Sequence, residues 1–211
     1  MPEALGSLYP DAMSALLDRL YNMHWVSPEL ARSAQPYLGF YRHFLTSHGF
    51  RGLINLRGAN PLHAWWPRER HLAEEMGIVH FDIRMSSRLV PAKETLRELI
   101  EAFERAPRPI LVKCSGGQDR ASLAAALFLL FSGGAPALKA AEAQFARWPY
   151  LHRPKKNQHW LAQFPVFAAE GMGTGTLSAW IRDEYEPQRF ADWLATRGID
   201  GAFRALQSRS D

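Results

Sequence analysis

A lone cysteine, Cys114, stands a fixed distance before an arginine, Arg120, with Ser115, Gly116, Gly117, Gln118 and Asp119 between them. A loop of that length can wrap a tetrahedral oxyanion. Its backbone N–H groups can turn inward, and the two glycines accept conformations that a side chain would resist. A guanidinium at its end can fork onto two oxygens of the anion. A thiol at its start, beside converging N–H groups and a helix end, is stabilised as a thiolate. Beneath a bound phosphoryl group that thiolate is a nucleophile. The same N–H groups and Arg120 would stabilise charge on the transferring group.

This chemistry needs flanking elements that hold the loop. Ile110 to Val112 is a short apolar run and reads as a buried strand. Ala121 to Phe131, apolar but for Ser122, is long enough for a buried helix. Strand, glycine-bearing loop and helix N-terminus together form an anion-binding arrangement. Upstream, helical spacing covers Asp11 to Met23, and an extended pair turns near Ser27-Pro28. A helix is expected over Tyr37–His48, a strand over Arg51–Arg57 and a helix over Pro67–Met76. A strand over Ile78–Ile83 and a helix over Pro91–Ala106 follow. This alternation predicts an α/β fold with a largely parallel central sheet of about four to five strands flanked by helices. Ligands bind such sheets beyond the carboxyl ends of the strands, where Cys114 falls.

After Gly133-Gly134 the chain reads as helix, over Pro136–Trp148 and Lys156–Glu170. A glycine–threonine break at 171–176 precedes two more helices near Pro187–Thr196 and Asp200–Gln207. The expected organisation is an N-terminal helix (1–24), an α/β domain (25–170) and a helical C-terminal extension (171–211).

The 211 residues suit one ordinary domain, and the net charge of +4 admits an anionic substrate without indicating nucleic acid. One cysteine excludes an intrachain disulfide and a multi-cysteine zinc site. With no signal peptide in the first residues, it points to a reducing, cytoplasmic setting. The histidines show no H-x-x-x-H pair, so neither a metal nor another cofactor is expected. No apolar run approaches membrane-spanning length.

The loop C-S-G-G-Q-D-R resembles the signature of the cysteine-dependent protein tyrosine and dual-specificity phosphatases: cysteine, two residues, glycine, two residues, arginine. Gly117 falls on the signature glycine. The Asp119-Arg120 pair is similar to loops of bacterial members and of the myotubularin lipid phosphatases. A-R-S-A-Q-P at 31–36 and G-L-I-N-L-R-G at 52–58 resemble the bacterial dual-specificity-like group. The resemblance spans roughly residues 25–170. It implies a protein tyrosine phosphatase-like fold and hydrolysis of a phosphomonoester through a cysteinyl-phosphate. The substrate would be a phosphorylated protein or a small phosphorylated molecule. Cys114 would be the nucleophile, and residues Ser115 to Arg120 would bind phosphate.

The family also uses a general acid, an aspartate about thirty residues before the cysteine. Asp82 is placed thirty-two residues before Cys114 and is assigned that role, with Asp119 as the alternative. Two residues depart from the family pattern. Lys113 replaces the usual histidine before the cysteine, and Ala121 replaces the serine or threonine whose hydroxyl assists thiolate departure; Ser122 lies one position on. Arg57, Arg84, Arg88 and Lys113 are further candidates for contact with substrate. The basic, aromatic run 147–159 reads as a substrate wall, a nucleic-acid patch or a solvated connection. Trp65-Trp66 reads as a pocket lining or a loop anchor. Two rival functions stand beside the phosphatase: a phosphate-binding module without turnover, and a rhodanese-like sulfur transferase.

Overall fold

The computed structural model describes residues 12–37 and 39–199. Five strands form one sheet in the order β1-β2-β5-β3-β4. They are β1 (His24–Ser27), β2 (Leu30–Ser33), β3 (Gly52–Asn55), β4 (Val79–Asp82) and β5 (Ile110–Lys113). β1 pairs antiparallel with β2, and every other pairing is parallel. The mostly parallel sheet expected from the alternation of elements is therefore present.

The three inner strands, β2, β3 and β5, are buried along their whole length, as parallel strands covered on both faces must be. Alternation along the strands sends side chains to opposite faces. Ala31, Leu53 and Leu111 pack beneath α1 (Ala12–Leu20), α2 (Tyr41–Ser47) and α3 (Trp65–Glu75). Leu30, Ile54, Ile110, Val112 and Cys114 join the larger core on the other face. That core is covered by α4 (Lys93–Arg105), α5 (Arg120–Gly133), α6 (Leu138–Ala143), α7 (Trp160–Met172), α8 (Leu177–Asp183) and α9 (Pro187–Ala195). α4 buries Leu96, Leu99, Ile100 and Phe103, the stripe its helical spacing requires. α5 is apolar nearly all round and runs through the centre of the core.

Several boundaries differ from the sequence expectations. The helix expected over Tyr37–His48 is confined to Tyr41–Ser47, and α3 starts at Trp65, before Pro67. Pro136–Trp148 does not form one helix. A 3-10 turn at Ala135–Ala137 and the short α6 are followed by turns, because the chain must come back to clasp the cysteine loop. α8 has no counterpart in the expectations. Its start is capped by the Thr176 hydroxyl, which accepts from the Ala179 N–H at 3.2 Å. The helix expected over Asp200–Gln207 lies outside the described residues.

Residues of α8, of α9 and of the turn between them enter the main core. Trp180, Tyr185 and Phe190 pack with Phe164 of α7, with ring centroids 5.0–6.5 Å from the Phe164 ring. The buried Tyr185 hydroxyl donates to the Pro91 carbonyl at 2.7 Å, tying this region to the start of α4. Gly171 is dictated by this packing: a Cβ there would stand 2.2 Å from Trp180 Nε1.

Candidate active site

β5 delivers Cys114 to the carboxyl end of the sheet, and α5 begins at Arg120. The thiol is 3% exposed, at the floor of the loop, and belongs to the core that also holds Ala121. The loop is shaped from outside. The Ser115 carbonyl accepts from the Gln35 N–H at 3.2 Å. The Gly116 carbonyl accepts from Asn22 Nδ2 at 3.3 Å, and the Gly117 carbonyl from Arg32 Nη2 at 2.7 Å. The Gln118 carbonyl accepts from Ser122 Oγ and, at 3.4 Å, from Arg32. Four successive carbonyls are thus held by groups around the loop. In a planar trans peptide the following N–H points the opposite way; the antiparallel bridge between Ala34 and Gly116 turns the Gly117 N–H toward β2, and those of Gly116, Gln118 and Asp119 are left to form an anion-binding concavity.

Gly117 is required twice over. Its φ is +67°, and a Cβ there would lie 2.6 Å from the Ala34 nitrogen. Gly116 is under no such constraint, with nothing nearer than 3.8 Å to its would-be Cβ. Arg120 is oriented by three acceptors: the Leu56 carbonyl at 3.2 Å, the Met85 carbonyl at 3.4 Å and Ser115 Oγ at 3.0 Å. Asp119 closes the loop with a carboxylate 26% exposed. It accepts from Gln158 Nε2 at 2.8 Å and stands 3.3 Å from His152 Nδ1.

Lys113, expected as a candidate for contact with substrate, is not brought to the loop. Lys113 points to the face opposite Cys114 and is 0% exposed. Its ammonium is 2.7 Å from Glu69 Oε1 and 2.6 Å from Gln35 Oε1, with the Trp65 ring centroid at 4.7 Å. It cannot touch substrate. Burial pulls the Lys113 ammonium down to about 8 against the opposing charge of Glu69. Burial alone would raise the Glu69 carboxyl. Hydrogen bonds from His80, Lys113 and Gln35 and the Lys113 charge outweigh it and hold the carboxyl at about 2.

Asp82 ends β4, two strands from β5, a separation of roughly 10 Å by strand spacing. Its carboxylate accepts from Asn55 Nδ2 at 2.6 Å and Trp66 Nε1 at 2.9 Å, on the α3 side of the sheet. Counting residues along the chain had selected the end of the strand, not the loop that follows it. Ser122 is also diverted. Its hydroxyl is buried between Arg32 Nη2, at 2.6 Å, and the Gln118 carbonyl, so it does not stand in for the hydroxyl absent at Ala121.

Arg57 lies next to Leu56, which anchors Arg120. Its guanidinium donates to Tyr37 Oη at 2.7 Å and Gln35 Oε1 at 3.2 Å, and stacks 3.8 Å from the Trp65 ring centroid. Tyr37 and Trp65 also line a cleft of about 660 Å³ with His63, Arg68 and Leu72. Arg84 is exposed and donates to the Ala59 carbonyl at 2.9 Å, and Arg88 is exposed on the same loop. That loop reaches the site through Ser87, whose hydroxyl accepts from the same Gln158 amide that holds Asp119. In the basic run 147–159, Tyr150, His152 and Gln158 face the cysteine loop while Arg147, Arg153, Lys155 and Lys156 are exposed.

Arg32, Asn22, Gln35, Glu69 and Gln158 are site residues that the sequence alone does not single out. Arg32 carried a signal: a charge inside an otherwise apolar strand, in the A-R-S-A-Q-P stretch. The others are polar residues from separate elements, with nothing local to mark them.

No protein-family model and no curated sequence matches the chain. Solved structures do resemble it. The core catalytic domain of the PP-IP phosphatase SIW14 of S. cerevisiae matches with a TM-score of 0.50 at 15% identity, covering 84% of this chain and 93% of that one. A putative phosphatase (DUF442) of Shewanella putrefaciens matches with a TM-score of 0.53 at 20% identity, covering 72% and 97%. The active form of Tk-PTP matches with a TM-score of 0.52 at 16% identity, covering 70% and 95%. The chain has the protein tyrosine phosphatase-like fold. Among the described residues no helix is long and apolar enough to cross a membrane.

Proposed function

We propose that the chain is a cysteine-dependent phosphomonoesterase acting on a phosphorylated protein or small molecule. One observation carries this reading: Cys114 lies at the floor of a loop whose carbonyls from Ser115 to Gln118 are all held from around it. A tetrahedral phosphoryl group fits the amide side of such a loop, with two oxygens forked by Arg120. The Cys114 thiolate attacks phosphorus, the S–P bond forms, and the P–O bond to the leaving group breaks. Asp119, a carboxyl within the loop itself, gives its proton to the leaving oxygen. As carboxylate it then takes a proton from the water that hydrolyses the cysteinyl-phosphate, releasing inorganic phosphate and the thiolate. Arg57 and the cleft beside it are the proposed seat of the rest of the substrate.

Cys114→Ser tests the assignment. It should reduce phosphate release from an aryl phosphate to background while inorganic phosphate still binds. Undiminished release in that variant rejects the reading.

A second reading is a phosphate-binding module without turnover. It is favoured by Ala121, which offers no hydroxyl to the departing thiolate, and by the diversion of Ser122 to Arg32. Wild-type protein that binds a phosphopeptide and releases no phosphate would establish it. Under the first reading the same residues make breakdown of the phosphoenzyme slow, so rapid-quench kinetics should show a burst.

A further inference from the structure

We propose that Arg32 is a positioning residue of the phosphate loop and the buried counter-charge for the anion bound there. It sits in β2, beside β5, and is 0% exposed. Nη1 donates to the Gln144 carbonyl at 2.8 Å and to Gln144 Oε1 at 3.2 Å. Nη2 donates to the Gly117 carbonyl at 2.7 Å and to Ser122 Oγ at 2.6 Å, with the Gln118 carbonyl at 3.4 Å. The guanidinium carbon lies 4.4 Å from the Tyr150 ring centroid. Every one of these hydrogen-bond acceptors is a neutral oxygen.

A guanidinium taken out of water without a carboxylate partner is costly. The groups whose charge acts on Arg32 are Cys114, Tyr150 and Asp119, from the loop and its clasp, and they oppose the fall to about 10 that burial imposes. Of the anions this position can serve, Asp119 is held by Gln158 and stands beside His152, and the other two are a Cys114 thiolate and a phosphoryl group above it. The fork therefore has two effects. It turns the Gly117 and Gln118 carbonyls away from the cradle, which leaves the following amides facing the anion. It also places a fixed positive charge behind them in a medium where that charge is weakly screened.

This inference rests on the phosphate-site reading of the loop but not on turnover, and its test separates the two. Two measurements are made on wild type, Arg32→Met and Arg32→Lys. One is inorganic phosphate binding by calorimetry. The other is the ratio of Cys114 alkylation rates by iodoacetate, an anion, and iodoacetamide, which is neutral. Arg32→Met should weaken phosphate binding by about 10–100-fold and lower the iodoacetate-to-iodoacetamide ratio. Arg32→Lys keeps the charge and should restore most of that ratio while recovering binding only in part. A merely structural role would change both alkylation rates together and leave their ratio fixed, and that result overturns the proposal. So does phosphate binding in Arg32→Met within twofold of wild type. If Arg32→Met does not fold, the proposal is decided by Arg32→Lys: a kept ratio with weakened binding supports it, and unchanged binding overturns it. Wild type that shows the ratio and binds phosphate but hydrolyses nothing would refute the phosphatase reading and leave the role of Arg32 standing.

Discussion

Arg32 and Lys113 are buried cations on neighbouring strands, offset by one residue in register, and they face opposite sides of the sheet. Lys113 is matched by a carboxylate, Glu69, which also accepts from His80, Gln35 and Tyr41. Arg32 has only neutral oxygens and the cysteine loop. The pair shows how one sheet end separates structural charge from working charge. On the α3 face the Lys113 charge is neutralised by Glu69 and has nothing left to offer a ligand. On the α5 face the charge is left for whatever the loop holds.

The two aspartates divide in the same way and give the test with the largest expected effect. Asp82 lies on the neutralised face, tied to Asn55 and Trp66; Asp119 lies in the loop. Asp119→Asn should lower kcat/KM by about 10²–10⁴-fold for a poor leaving group such as an alkyl phosphate, and far less for p-nitrophenyl phosphate. Asp82→Asn should leave that leaving-group dependence unchanged. The opposite pattern would restore the acid to the other face.

Next in size is the Lys113–Glu69 pair. Glu69→Ala strands a buried ammonium and should cost about 3–5 kcal/mol by urea denaturation. The double variant Lys113→Met/Glu69→Gln should recover most of that loss, since the pair contributes little beyond its mutual neutrality. The pair also sets an acid limit. Glu69 is held at about 2, below its ordinary 4.5, so its contribution is present above about pH 4.5 and lost as pH falls toward 2. In Glu69→Gln the decline in stability across that window should be shallower. An equal decline would mean that other carboxylates govern acid unfolding.

The smallest expected effect lies within the loop. Gly117→Ala should cost about 1–3 kcal/mol from its left-handed backbone, more if the contact with Ala34 cannot relax, and should weaken phosphate binding. Gly116→Ala should be tolerated in both assays. Equal tolerance at the two positions would mean that the loop can adopt another shape.

These contrasts show what could be read from sequence. The loop itself, its strand and its helix were legible because anion binding there depends on residues that are consecutive. So was the sheet, whose inner strands are short apolar runs, and so was α4, whose stripe follows the helical period. What escaped was settled across the sheet. Lys113 looked like a charge beside the thiol, but strand alternation turns it to Glu69, a residue on a helix forty-four positions earlier. Asp82 had suitable chain spacing, yet spacing does not say which face a strand-end side chain takes. Residues 144–148 read as the end of a helix because their composition permits it; clasping the loop with Tyr150 and His152 requires the chain to leave the helix before them. α8 follows a glycine-rich break and is held by Trp180 and Thr176, contacts that no periodicity announces.

The central claim is a covalent bond between Cys114 and phosphorus. Intact mass spectrometry after acid quench of wild-type protein mixed with p-nitrophenyl phosphate tests it most directly. The account predicts a transient gain of one phosphoryl group that maps to Cys114 and is absent from Cys114→Ser. Phosphate release with no such adduct, undiminished in Cys114→Ser, would contradict it.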